Sequence, residues 1–99
     1  MGIEFKEASD TKELHVSISG TFDFNSVQDF RQTYDGGKTF KKYILDMSRV
    51  DHIDSSALGM LLNMKKTVGE GVDIHIRNCK PGIKKIFMIS RFDKKFLFD

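Results

Sequence analysis

The chain opens on two stretches in which apolar and polar side chains alternate. Ile3-Glu4-Phe5-Lys6 is the first; after the polar turn Ser9-Asp10-Thr11-Lys12, the second puts Leu14, Val16 and Ile18 on one face and His15, Ser17 and Ser19 on the other. A period of two marks a strand with one buried face, and two such runs around a short turn predict a β-hairpin ended by Gly20. From Asn25 to about Asp35 the period changes: Val27, Phe30 and Tyr34 recur at helical spacing behind a cap at Asn25 or Ser26, with Gly36-Gly37 as the stop. Tyr43-Ile44-Leu45-Asp46-Met47 is a nearly continuous apolar run of strand length, as expected for a strand in mid-sheet. Ala57, Leu58, Leu61, Leu62, Met64 and Val68 then predict a helix from Ser55 to about Val68, closed by Gly69-Glu70-Gly71. Val72, Ile74 and Ile76 give a further strand. Pro81 suits the first turn of a helix whose inner face would carry Ile83, Ile86, Phe87 and Ser90, and Lys95 to Phe98 makes a last strand. The order β-β-α-β-α-β-α-β predicts an α/β domain: a mixed sheet of about five strands with helices packed on it.

Composition narrows the function classes. Ninety-nine residues suit a single domain over the whole of 1–99, and 39% hydrophobic with 30% charged residues is ordinary globular usage. A formal charge of +2 implies no polyanionic partner. The pairs Lys65-Lys66, Lys84-Lys85 and Lys94-Lys95 lack interleaved aromatics, so they read as solvated faces, and the element order differs from that of ferredoxin-like RNA binders. No nucleic-acid partner is expected. With one cysteine and three histidines, neither a disulfide nor a four-ligand zinc site is expected, and a reducing cytoplasm fits. No apolar run is long enough to span a bilayer and the first residues do not read as a signal peptide, so no membrane association is expected.

Candidate chemistry concentrates in Val50-Asp51-His52-Ile53-Asp54-Ser55-Ser56-Ala57-Leu58-Gly59-Met60-Leu61-Leu62, which joins the central strand to the best-defined helix. Groups at the carboxyl end of a parallel strand open at the sheet rim, and unpaired N–H groups with the positive end of the helix dipole tolerate a phosphoryl group there. Asp54, Ser55 or Ser56 also suits the plain role of helix cap. His52 beside Ser55 lacks the flanking glycines of a nucleophile elbow, Cys79 reads as a semi-buried small side chain, and Gly69-Glu70-Gly71 lacks the rest of a phosphate loop. No catalytic residue, metal or cofactor is expected. Met60, Met64 and Met88 have thioethers that suit an adaptable contact surface, but packing is the ordinary role of helix methionines; Met60 is the contact candidate among them and Met64 reads as core.

Asp54-Ser55-Ser56-Ala57-Leu58-Gly59 resembles the Asp-Ser-Ser/Thr-Gly-Leu-Gly signature of STAS domains, the fold of bacterial anti-sigma factor antagonists. Gly20-Thr21-Phe22-Asp23 resembles that family's loop after the second strand, Ile44-Leu45-Asp46-Met47 its third strand, and Pro81, Ile83, Ile86 and Phe87 its third helix. Ala57 stands where the family has the first motif glycine; as the better helix former it stiffens the first turn. The ending Arg91-Phe92-Asp93-Lys94-Lys95-Phe96 resembles Gram-negative single-domain antagonists, which work with two-domain phosphatase/kinase regulators in motility and biofilm control.

The resemblance implies a phosphoserine at Ser55, with Ser56 as the neighbouring alternative. It implies a partner-switching antagonist without catalysis, whose contact face holds Asp23, Asp54, Ser55, Ser56, Ala57, Gly59 and Met60. The implied partners are an anti-sigma factor or comparable regulator with serine kinase activity and a PP2C-like serine phosphatase; the free chain is expected to be a monomer. A sensor of nucleotides or other small molecules is the alternative the same resemblance allows.

Overall fold

The computed structural model describes residues 2–8, 12–35 and 40–99. Strand β1 (Gly2–Ala8) pairs antiparallel with β2 (Glu13–Phe22); β3 (Lys42–Ile53), β4 (Asp73–Arg77) and β5 (Leu97–Phe98) follow in parallel, so the sheet order is β1-β2-β3-β4-β5. Helices α1 (Val27–Gln32), α2 (Ser55–Val68) and α3 (Pro81–Ile89) form the crossovers, with 3-10 turns at Phe24–Ser26 and Phe92–Lys94. The fold is the α/β domain the periodicity predicts, with β3 at mid-sheet.

Every crossover steps one strand onward in the same direction. Right-handed crossovers that all step the same way lay their helices on a single face of the sheet. Burial agrees: Leu14, Val16 and Ile18 of β2, Tyr43, Leu45 and Met47 of β3, and Ile74 and Ile76 of β4 join Leu61, Met64 and Phe87 from the helices in one core. The opposite face is polar, with His15 and Ser17 exposed and His75 half-buried. Ile44 is the apolar exception; in register with both His15 and His75, it is shielded by its neighbours in the sheet.

Several boundaries differ from the periodicity, each for a local reason. Gly20 does not end β2: at φ 80° it sits where the register shifts, and the strand continues to the fully buried Phe22. β3 does not stop near Met47 but runs to Ile53. Its inward residues after Leu45 are Met47, Val50 and Ile53, three apart instead of two, because β3 takes two register shifts against β2. A bulge sets two residues against one, so simple alternation is lost where it occurs.

The first helix is also shorter than its apolar spacing suggests. A 3-10 turn occupies Phe24–Ser26 and α1 covers Val27–Gln32, while the expected stop at Gly36-Gly37 lies outside the described residues, as does the Ser9-Asp10-Thr11 part of the first turn. Ser26 holds the N-cap position of α1, as the sequence allowed, but makes no side-chain cap bond there, and the 3-10 turn before α1 has a cap of its own. Asp23 caps that turn: the Asp23 carboxylate accepts the Asn25 N–H at 3.0 Å, and the Asp23 N–H donates to Ser26 Oγ at 3.4 Å. Phe30 and Tyr34 still point inward, Phe30 lying 5.2 Å from the ring of Phe22 and 5.8 Å from that of Tyr34. Helix α2 has the predicted bounds. In α3 only Ile83 and Phe87 are buried; Ile86 and Ser90 face solvent, because a nine-residue helix on a sheet buries a narrow i, i+4 stripe. β4 starts at Asp73 instead of Val72, and β5 shrinks to two residues because the preceding 3-10 turn uses Phe92–Lys94 and buries Phe92 and Phe96.

Candidate functional site at the carboxyl ends of β2 and β3

Phe22 is in register with Ile53, the last residues of two adjacent parallel strands. The residues that follow, Asp23 and Asp54, therefore leave the sheet side by side at its rim. Both adopt extended backbone, φ −142° and −128°, and both cap the helical turn that follows. Asp54 Oδ1 accepts the Ala57 N–H at 3.2 Å, so Asp54 takes the cap of α2 that the sequence left open among three residues. The same N–H also reaches the Asp54 carbonyl at 3.1 Å, a three-centre bond common at helix starts.

With Asp54 as cap, Ser55 is the first helical residue. It is exposed, and no hydrogen bond ties its side chain to the described residues. Ser56 is half-buried and turns into a groove between α1 and α2. That groove, about 290 Å³, is lined by Phe24, Arg31, Tyr34, Ser56, Gly59 and Met60 among others. Asn63 Nδ2 donates to Tyr34 Oη at 3.1 Å across the groove floor, fixing α1 against α2.

The expected contact residues divide. Asp23, Asp54, Ser55, Ser56 and Gly59 reach the surface at this rim, and a Cβ on Gly59 would meet nothing within 4 Å, leaving its face of α2 open to a partner. Ala57 and Met60 do not belong to the exposed face: Ala57 is 0% exposed and Met60 8%, because α2 turns these positions onto the core. They support the surface from beneath. Met64 is fully buried, as expected, and Met88 packs against the core margin.

Sequence reasoning missed Phe24, which is 69% exposed beside Ser56. Spacing alone gives no signal for it: three residues before Val27, Phe24 shares the apolar periodicity of the inward face. Behind the site, Lys80 hydrogen-bonds Asp51 and holds its carboxyl below the usual carboxylate range, fastening the start of α3 to the end of β3. Burial pushes the neighbouring Cys79 thiol up to about 11 against a small opposing pull from Lys84, so this sulfur is a poor nucleophile. Among the described residues no group of three or more His, Cys, Asp or Glu side chains could hold a metal ion, and no helix is long and apolar enough to cross a membrane.

A strand-to-helix rim of this form, under one sheet with helices on one face, matches a known family over nearly its whole length. The STAS-domain profile covers residues 3–99. The chain belongs to the STAS family. A STAS-domain containing protein of Pseudomonas aeruginosa (strain UCBPP-PA14) is 40% identical over 98 residues, 97% of each chain. Among solved structures, an anti-sigma factor antagonist from Mycobacterium paratuberculosis superposes with a TM-score of 0.79 at 18% identity, covering 98% of this chain and 85% of the other. The Bacillus cell fate determinant SpoIIAA in its phosphorylated form gives 0.72 at 17% identity over 99% and 91% of the two chains. The anti-sigma factor antagonist SpoIIAA in its unphosphorylated form gives 0.71 at 16%, over 99% and 87%. This STAS domain thus has the fold of the anti-sigma factor antagonists.

Proposed function

We propose that this STAS domain is a phosphorylation-switched antagonist in a partner-switching pathway and has no catalysis of its own. The observation that carries the reading is the placement of Ser55: an exposed hydroxyl, hydrogen-bonded to none of the described residues, on the first residue of α2 directly after the Asp54 cap. A kinase can reach such a hydroxyl without unfolding the domain. That a protein of the same fold, SpoIIAA, exists in phosphorylated and unphosphorylated forms supports it.

In the unmodified state the rim of Asp23, Asp54, Ser55 and Ser56, extended by the Gly59 face of α2, docks on an anti-sigma factor or comparable regulator and frees that regulator's earlier target. Phosphorylation by a serine kinase, which the regulator itself carries in the simplest arrangement, adds about −1.5 to −2 charge beside Asp54 and Asp23. A contact surface formed around a neutral hydroxyl then meets bulk, repulsion and desolvation cost together, and a penalty of about 2.7 kcal/mol weakens binding roughly a hundredfold. A PP2C-like phosphatase resets the switch. The regulated output is transcription, motility or biofilm formation.

The test is peptide-level mass spectrometry of the protein recovered from its native host, as wild type, Ser55→Ala and Ser56→Ala. A phosphate present in the wild type and in Ser56→Ala but lost in Ser55→Ala supports the switch, and the unmodified form then serves as bait for the regulator. No phosphate in any growth condition refutes it.

A further inference from the structure

The two edges of the sheet are protected very differently. β5 offers two residues, Leu97 and Phe98, too short a strand to recruit another chain. β1 offers seven, Gly2–Ala8, with no proline and no bulge in its pairing to β2, and no described strand pairs with its outer side. Long, regular edges of this kind invite strand addition unless something blocks it.

The side chains on this edge carry more information than its length. Glu4 and Lys6 stand opposite Ser17 and His15 and so lie on the polar face; among the described residues neither has an ion-pair or hydrogen-bond partner for its side chain. Phe5 stands opposite Val16 on the helix side, yet it is 50% exposed where Val16 is 1%, because the helices do not reach over β1. Charges on an edge strand ordinarily repel a second strand. Here they do so in the two-fold registers on either side of one that pairs the whole strand.

A two-fold axis perpendicular to the sheet pairs a strand antiparallel with its own copy and sets one residue opposite itself. Centred on Glu4 it opposes two carboxylates, on Lys6 two ammonium groups, and on Glu7 two carboxylates again. Centred on Phe5, the midpoint of the seven residues, it places Glu4 opposite Lys6 of the second copy and Lys6 opposite its Glu4, and all seven residues find a partner. The two half-exposed Phe5 rings meet across the axis on the helix side.

We infer that β1 is a homodimerisation edge: two copies of this chain join antiparallel through β1, centred on Phe5, into one continuous sheet with both sets of helices on the same face. The charge pattern then acts as a register key, attractive in the centred arrangement and repulsive when the strand slips by one step of the pleat. The expectation of a free monomer gives way to a dimer whose Ser55 rims stay open, since Ser55 sits beyond β3, two strands inward of the joined edge.

Sedimentation of the full chain from micromolar to near-millimolar concentration tests this with the wild type, two single variants, their mixture and the double exchange. The wild type should dimerise, and Glu4→Lys or Lys6→Glu, each opposing like charges twice across the axis, should raise the dissociation constant about tenfold or more. An equimolar mixture of the two single variants should dimerise again, as the Glu4→Lys strand meets acidic partners on the Lys6→Glu strand at both positions; the double exchange Glu4→Lys with Lys6→Glu should do so alone. Both positions are exposed, and circular dichroism should show unchanged folding. A wild type that stays monomeric throughout, single variants that dimerise as tightly as wild type, or a mixture that fails to pair overturns the inference.

Discussion

A phosphate on Ser55 should leave this domain folded and change its stability by no more than about 1 kcal/mol, whereas the same group on Ser56 should cost considerably more. At Ser55 the phosphoryl group meets the N-terminus of a 14-residue helix, a position worth about 0.3–1 kcal/mol to an exposed anion. Against this stands the Asp54 carboxylate next door. Two unit charges about 4 Å apart in water-like surroundings repel by about 1 kcal/mol, a dianion by nearly twice that, and physiological salt reduces both. The balance is a loss of roughly 1 kcal/mol at most, or a melting temperature lowered by about 4–8 °C for a domain of this size. Ser56 has no such freedom. It is half-buried on the groove that Phe24 and Met60 also line, so a dianion there must leave water and force α1 from α2, at about 2 kcal/mol or more. Urea titrations of protein carrying phosphoserine at one position or the other measure the difference directly. A Ser55 phosphoprotein destabilised by about 3 kcal/mol, or a Ser56 phosphoprotein as stable as the unmodified chain, would refute the placement of these two hydroxyls and the switch built on it.

Two further outcomes follow from the caps and the sheet margin. Asp54→Ala removes the carboxylate from the Ala57 N–H but leaves that N–H its backbone acceptor, so the cost should be about 1 kcal/mol in chemical denaturation, and Asp54→Asn should recover most of it. Asp99 is held below the ordinary carboxylate range, first by the Arg77 guanidinium, which donates to Oδ2 at 2.8 Å, and then by His75. A carboxyl with a lowered pKa in the folded state contributes stability above its unfolded value and loses it as pH falls through the folded one. Carboxyl-carbon NMR titration should therefore find the Asp99 midpoint below that of an unstructured aspartate, and Arg77→Met should move it upward; a midpoint unmoved by that substitution would show the pairing absent in solution.

The element order and the best helix were legible because their signals are local. Apolar spacing from Ala57 to Val68 bounds α2, and alternation at Leu14, Val16 and Ile18 fixes which face of β2 is buried. What failed depended on partners distant in sequence. Gly20 reads as a terminator, yet it serves as a hinge in a strand held on by pairing with Val50. Ile86 shares the apolar spacing of Ile83 and Phe87, but the sheet beneath α3 accepts only the latter two. Met60 has the chemistry of an adaptable contact, and α2 nevertheless turns it under the groove.

The site depends on the same distant pairing. A motif at Asp54-Ser55-Ser56 can announce a helix start, but nothing in it says which loop stands beside it. That is settled by the ladder: β3 spends twelve residues, Lys42–Ile53, against ten of β2, Glu13–Phe22, and the two surplus residues are taken up in its register shifts. Without them, Asp54 would leave the sheet out of step with Asp23, and a change of one residue would also turn its side chain to the other face. The irregular stretch from Met47 to Ile53, which looks least like a strand in the sequence, is therefore what sets the two aspartate caps level and presents Ser55, next after Asp54, at the same rim.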